Sequence, residues 1–183
     1  MIVVMHFRLH FVVMVLLFVP LSLAQSNRCE LLPSDAKLAI KQRFPTWRPK
    51  VLSDLDGYDK KLWLEIHPKQ CPGIAVGHFE QPDQVAYAVL LIPKSGHDAN
   101  NKIIVLSKAA DEYAVRMLNH SEGNPDSDWG LIISKEPPGT YSDMGSTKRL
   151  RLKLDSVNVE YLEKSSGLYY WSQGKYLSIQ TSD

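Results

Sequence analysis

Few residues in this chain have a spacing that suggests chemistry. The clearest is His78-Phe79-Glu80. A histidine and a glutamate two positions apart fall on one face of an extended strand, where both can hold a metal or move a proton. His67 is the natural third member, carried across the same sheet. His67, His78 and Glu80 are therefore the catalytic candidates, and a small hydrolase using them, with or without metal, is one reading. No His-Glu-x-x-His, Cys-x-x-Cys or Gly-x-Ser-x-Gly pattern strengthens it.

A second group is Asp54-Leu55-Asp56-Gly57-Tyr58-Asp59. Alternating carboxylates around a glycine can wrap oxygens about a hard cation such as Ca²⁺, so Asp54, Asp56 and Asp59 are the metal candidates. Over about a dozen residues the segment resembles the calcium loops of FG-GAP-type repeats, which implies a calcium-stabilised structural module. The EF-hand register fails, because with Gly57 at the sixth position the first would be Leu52 and the last Trp63. A polar turn leading into a strand is the simpler reading, and no cofactor is otherwise indicated.

Two surfaces suggest binding. Tyr169, Trp171 and Tyr176 form an aromatic group able to stack on sugar rings, to anchor a partner, or to fill a core. Arg149, Arg151 and Lys153 alternate along one strand and would suit an acidic partner.

The elements that must position these groups are legible from periodicity. Ser34 reads as an N-cap, and Ala36, Ile40 and Phe44 form one apolar stripe of a helix that Pro45 ends. Leu62, Leu64 and Ile66 alternate with Trp63, Glu65 and His67 as the two faces of a strand. The apolar run Val85 to Ile92 suits a strand buried on both faces, with Lys102 to Leu106 as its antiparallel partner. Further strands are expected at Tyr113–Leu118 and Leu131–Ser134. The strict alternation Arg149 to Leu154 predicts a hairpin turning at Asp155-Ser156, with Leu152 facing Val159 and Arg151 facing Glu160. A second hairpin turns at Gln173-Gly174, pairing Trp171 with Tyr176 and Leu168 with Ile179. The fold class is α+β, an N-terminal helix packed on a mainly antiparallel sheet or open barrel of short strands and hairpins.

Residues 1–24 carry Arg8, an apolar run Phe11–Val19, and small residues Ser22 and Ala24 before a cleavage point, the parts of a signal peptide. The run is too short, and too soon broken by Pro20, for a spanning helix. Contact with membrane is thus expected only before cleavage. Residues 25–183 are then a single exported globular domain, periplasmic or secreted. The leader removes one of the 21 Lys+Arg and none of the 20 Asp+Glu, and 20 − 20 leaves a formal charge near zero. Without a global positive field, nucleic acid is not an expected partner. Cys29 and Cys71 are the two cysteines, and in an oxidising compartment they are expected to pair. Asn119-His120-Ser121 fits a glycosylation sequon.

The leading expectation is an exported, non-enzymatic binding protein, inhibitor- or immunity-like. Its partner would be an envelope or secreted protein, or a cell-wall polymer. The loops Lys94–Asn101 and Asn119–Asp128 are the expected contact regions, since binding residues concentrate on loops held by a rigid scaffold.

Overall fold

The structure is a computed structural model that describes residues 29–95, 101–118 and 130–182. The leader, the sequon and most of the two expected contact loops lie outside the described residues.

Among the described residues the first helix is α1, Ser34–Arg43. Pro33, not Ser34, occupies its N-cap, and no side chain caps it; Asp35 lies in the first turn as expected. Ala36 and Ile40 are its buried residues. Strand β1 (Trp47–Pro49) follows, then a single 3₁₀ turn over Leu52–Asp54.

Helix α2, Gly57–Ile66, comes next, and it overturns the expected Leu62 strand. The Asp56 carboxylate accepts the Asp59 N–H at 2.8 Å, an N-cap that commits the following residues to a helix. Trp63 becomes the buried residue, while Ile66, placed on the inner face of a strand by alternation, is 54% exposed. Six residues of apolar alternation are too few to separate the two periods, and the cap decides.

The strands then run β2 (Ile74–Gln81), β3 (Gln84–Pro93), β4 (Lys102–Ala109), β5 (Glu112–Met117), β6 (Leu131–Glu136), β7 (Gly139–Ser142), β8 (Arg149–Leu152), β9 (Ser156–Tyr161), β10 (Ser165–Ser172) and β11 (Lys175–Ser182). All ladders are antiparallel. One sheet has the order β1-β3-β4-β5, with β2 also paired to β3; a second has β11-β10-β9-β6; β7 and β8 pair with each other. The molecule is thus mostly antiparallel sheet with two short helices.

The two larger sheets stack face to face. Ala88, Leu90, Ile103 and Val105 of the first meet Leu131, Ile133, Val157 and Tyr169 of the second in one core. On the far side of the first sheet, Val89, Leu91, Ile104 and Leu106 pack against Ala36 and Ile40 of α1. This two-sided burial explains the unbroken apolar run in β3. On the far side of the second sheet, Trp63 of α2 packs with Leu55, Ile132 and Leu162. Lys50 ties the sheets together: its backbone N–H donates to the Leu90 carbonyl at 2.9 Å, and its buried Nζ donates to the Leu131 carbonyl at 2.8 Å.

The hairpin expected at Asp155-Ser156 does not form. β8 pairs with β7, placing Arg151 opposite Thr140 and Leu152 opposite Gly139. β9 pairs instead with β6 and β10, so Val159 lies opposite Ile133 and Gly167. Ser156, Val157, Asn158 and Val159 are all buried, and a strand covered on both faces belongs in the middle of a sheet. Asp155 is no solvent-facing turn residue, being 8% exposed with its Oδ2 accepting the His78 N–H at 2.8 Å. The second hairpin forms as expected, with Trp171 opposite Tyr176 and Leu168 opposite Ile179. Gln173 and Gly174 both take positive φ, 50° and 80°, as a two-residue type I′ turn requires.

Candidate functional site

Of the three catalytic candidates, His78 and Glu80 lie two positions apart on β2 with Phe79 buried between them, and His67 lies at the end of α2. His67 is the C-cap of α2, where its ring packs on Trp63 with centroids 4.3 Å apart. Burial lowers its pKa. His78 lies on β2, where its backbone is held by Asp155 and its Nδ1 is buried without a hydrogen-bond partner. Glu80 is engaged elsewhere. Its Oε1 accepts from Arg116 Nε at 3.0 Å and from the Tyr176 hydroxyl at 3.2 Å.

The acidic segment is likewise divided among tasks. Asp54 makes a two-pronged pair with the Arg48 guanidinium at 2.7 and 2.6 Å and accepts the Val51 N–H at 2.8 Å. Burial alone would raise the Asp54 carboxyl, but Arg48 and that N–H outweigh it and hold the group below its ordinary value. Asp56 caps α2. Burial, with Asp56 nearby, raises the Asp59 carboxyl. Among the described residues, no group of three or more His, Cys, Asp or Glu side chains could hold a metal ion.

The aromatic group also separates. Tyr169 belongs to the inter-sheet core, 8% exposed. Trp171 and Tyr176 sit at its rim, edge to face with centroids 5.0 Å apart, and the Arg116 guanidinium lies over the Trp171 ring at 4.6 Å. Burial and the adjacent Glu80 carboxylate push the Tyr176 hydroxyl far above its ordinary pKa. Glu80, Arg116, Trp171 and Tyr176 thus form a clasp joining β2 and β5 to β10 and β11. Sequence reading missed Arg116, whose position opposite Val105 becomes informative only once the β4–β5 register is known.

The basic strand and part of the aromatic cluster do come together. Leu150 to Asp155 on one side and Tyr170, Trp171 and Ser172 on the other line an open groove of about 240 Å³. Arg151 and Lys153 are exposed along it, with Arg149 exposed further along the same strand. Glu160, expected opposite Arg151 where it would partly cancel the charge of that face, instead lies opposite Ile132 and Ser166. None of the ion pairs among the described residues involves Arg149, Arg151 or Lys153. The groove therefore presents the exposed cations Arg151 and Lys153 beside an aromatic wall, while Asp155, the one carboxylate in its lining, is buried and accepts the His78 N–H. This arrangement can hold carboxylate, sulfate or phosphate groups carried on a chain with apolar parts.

Glu160 carries a pH signature of its own. Burial raises its carboxyl pKa, the Asn158 amide at 3.2 Å opposes that rise, and Glu136 adds to it. A raised acid favours the folded state below its unfolded pKa, and that contribution is lost as pH rises through the folded value. Glu160→Gln keeps the acceptor for Asn158 and removes the buried charge. It is expected to raise the melting temperature at about pH 7 and to leave it unchanged at about pH 3, where the glutamate is protonated in both states. Thermal melts at the two pH values check this, and equal gains at both would refute it.

No family model matches the sequence, and neither a curated protein nor a solved structure matches it. The class is therefore defined by the fold itself, a disulfide-bonded domain of stacked antiparallel sheets with helices on their outer faces.

Proposed function

We propose that this is an exported, non-enzymatic binding protein that holds an anionic partner in the groove between β8 and β10. The observation that carries the reading is the placing of unpaired Arg151 and Lys153 against Tyr170 and Trp171. The Cys29–Cys71 disulfide supports the exported part, since such bonds persist in oxidising compartments.

The groove lies on a rigid scaffold. β10 is hydrogen-bonded along its length to β11, whose turn has the type I′ geometry that suits the strand twist. Rigid placement lowers the ordering cost of binding. Charge here serves attraction and selection, with the aromatic wall contributing contact area.

A direct test is titration of residues 25–183 with poly-glutamate and with a neutral polysaccharide, followed by tryptophan fluorescence. Poly-glutamate is expected to bind and the neutral polymer not. Arg151→Glu with Lys153→Glu is expected to weaken binding by about tenfold or more at low salt. Because both positions are exposed, the melting temperature should stay within about 2 °C of the parent. Raising the salt from about 0.05 to 0.5 M should weaken the parent and should not weaken the double variant, whose glutamates repel the polymer. Binding that ignores both the reversal and the salt would remove the groove as the anion seat.

A further inference from the structure

We infer that the groove is a strand-addition slot, which takes an extended acidic peptide segment of the partner along Tyr170–Ser172. The inference rests on the anion-binding reading above and names the partner as a polypeptide.

The β9–β10 ladder stops early. It runs from Ser165 opposite Tyr161 to Tyr169 opposite Val157. β10 does not stop there: Tyr170, Trp171 and Ser172 continue opposite Leu177, Tyr176 and Lys175 of β11. On their other side the ladder would have continued with Ser156, Asp155 and Leu154. None of those residues pairs with β10, and the Asp155 carboxylate is held by the His78 N–H of β2. The place so vacated is the groove, with Leu150 to Asp155 as its far wall. A strand paired on one side only is a template for another chain.

The chemistry of the rim selects what enters. Edge strands are usually protected by their own charges or by a covering loop, and here the exposed charges on the wall facing the slot are the cations Arg151 and Lys153, while the Asp155 carboxylate is buried and accepts the His78 N–H. Arg151 lies near the end of β8 and Lys153 just beyond it, in the bend that follows Leu152 rather than on the expected strand, and both are exposed on the same wall of the groove. An acidic-x-acidic segment would therefore meet both cations while its backbone pairs with β10. Main-chain hydrogen bonds supply affinity in this mode, and the alternating side chains supply specificity. A sulfated or phosphorylated polymer could meet the cations but has no backbone amide to complete the ladder.

Two peptides distinguish these cases. One is a capped seven-residue peptide of alternating glutamate and valine. The other has the same sequence with alternate backbone nitrogens methylated, so that it keeps its charge and loses one edge of donors. Binding is read by tryptophan fluorescence, and hydrogen exchange is read at the amides of residues 170–172. The unmethylated peptide is expected to bind at least about tenfold more tightly than the methylated one in whichever methylation register blocks the paired edge. It is also expected to slow exchange within Tyr170–Ser172 and to lose binding in the Arg151→Glu, Lys153→Glu variant. Equal binding of the parent and both methylated registers, still abolished by charge reversal, would overturn strand addition and leave the anion-binding reading standing. If neither the peptides nor poly-glutamate binds, both fall.

Discussion

Removal of the Cys29–Cys71 bond by the double change Cys29→Ala and Cys71→Ala is expected to lower the free energy of unfolding by about 2–5 kcal/mol. The bridge closes a long stretch of chain, with a sequence separation of 42. On the chain-entropy model a loop of that length is worth about 4 kcal/mol, because the open denatured chain has many more conformations than the closed one. A packing loss adds to this. Cys71 is fully buried among Ala36, Ile40, Ile74 and Val89, so the bridge anchors the segment before α1 into the layer that α1 covers. Urea denaturation of the oxidised parent, the reduced parent and the double variant provides the check. The two disulfide-free forms should share a low midpoint, with a steeper dependence on urea than the parent, as expected when an uncrosslinked denatured chain exposes more surface. A midpoint indistinguishable from that of the oxidised parent would mean that the bridge adds nothing to a scaffold already complete without it.

Trp63→Ala should have a comparable effect, about 3–5 kcal/mol. The side chain is fully buried and fills the layer between α2 and the second sheet, against Leu55, Ile132 and Leu162. Its Nε1 donates to the Gln70 carbonyl at 3.2 Å, fixing the turn that leads from α2 to Cys71. Truncation loses the buried ring and leaves a void that neighbouring β-strand backbone cannot easily fill. The comparison that gives the experiment its force is Ile66→Ala. In a strand with Leu62, Leu64 and Ile66 inward, Ile66 would be costly to truncate and Trp63 cheap. In helix α2, Ile66 is 54% exposed and its truncation should cost no more than about 0.5 kcal/mol. A reversed ranking in chemical denaturation would restore the strand and remove α2.

The same residues show why part of this fold was legible and part was not. Helix α1, the buried run of β3 and the β10–β11 hairpin are specified by neighbours in the sequence. An apolar stripe ended by proline, an apolar run bounded by polar turns and a glutamine-glycine turn each act over a few residues. The α2 segment was locally specified too, but through a feature that supports two interpretations. Carboxylates at Asp56 and Asp59 serve equally as cation ligands or as a cap and first-turn charge, and only the fold shows that Asp56 accepts a helix N–H. The β8–β9 assignment failed for a different reason. Alternation says which side of a strand is apolar and nothing about which strand lies beside it, so β8 and β9 looked complementary while each pairs elsewhere.

The binding residues divide along the same line. Arg149, Arg151 and Lys153 could be singled out because alternation on one strand makes a charged face a local property. Tyr169 and Trp171 look equivalent by that rule, yet the stacking of the second sheet buries Tyr169 and leaves Trp171 at the rim. The groove itself has no local signal. It opens where the β9–β10 ladder stops, at Val157 opposite Tyr169, with Asp155 held by the His78 N–H, 77 residues away in the chain. The sequence alone determined the two cysteines, the first helix, the doubly buried strand and the last hairpin, since each depends on forces between near neighbours. The tertiary structure alone decided the partners of β8 and β9, the buried roles of Lys50 and Asp155, and the opening beside Tyr170. Those depend on contacts between residues far apart in sequence, which compete for the same hydrogen-bonding edges and are resolved only when the whole chain packs.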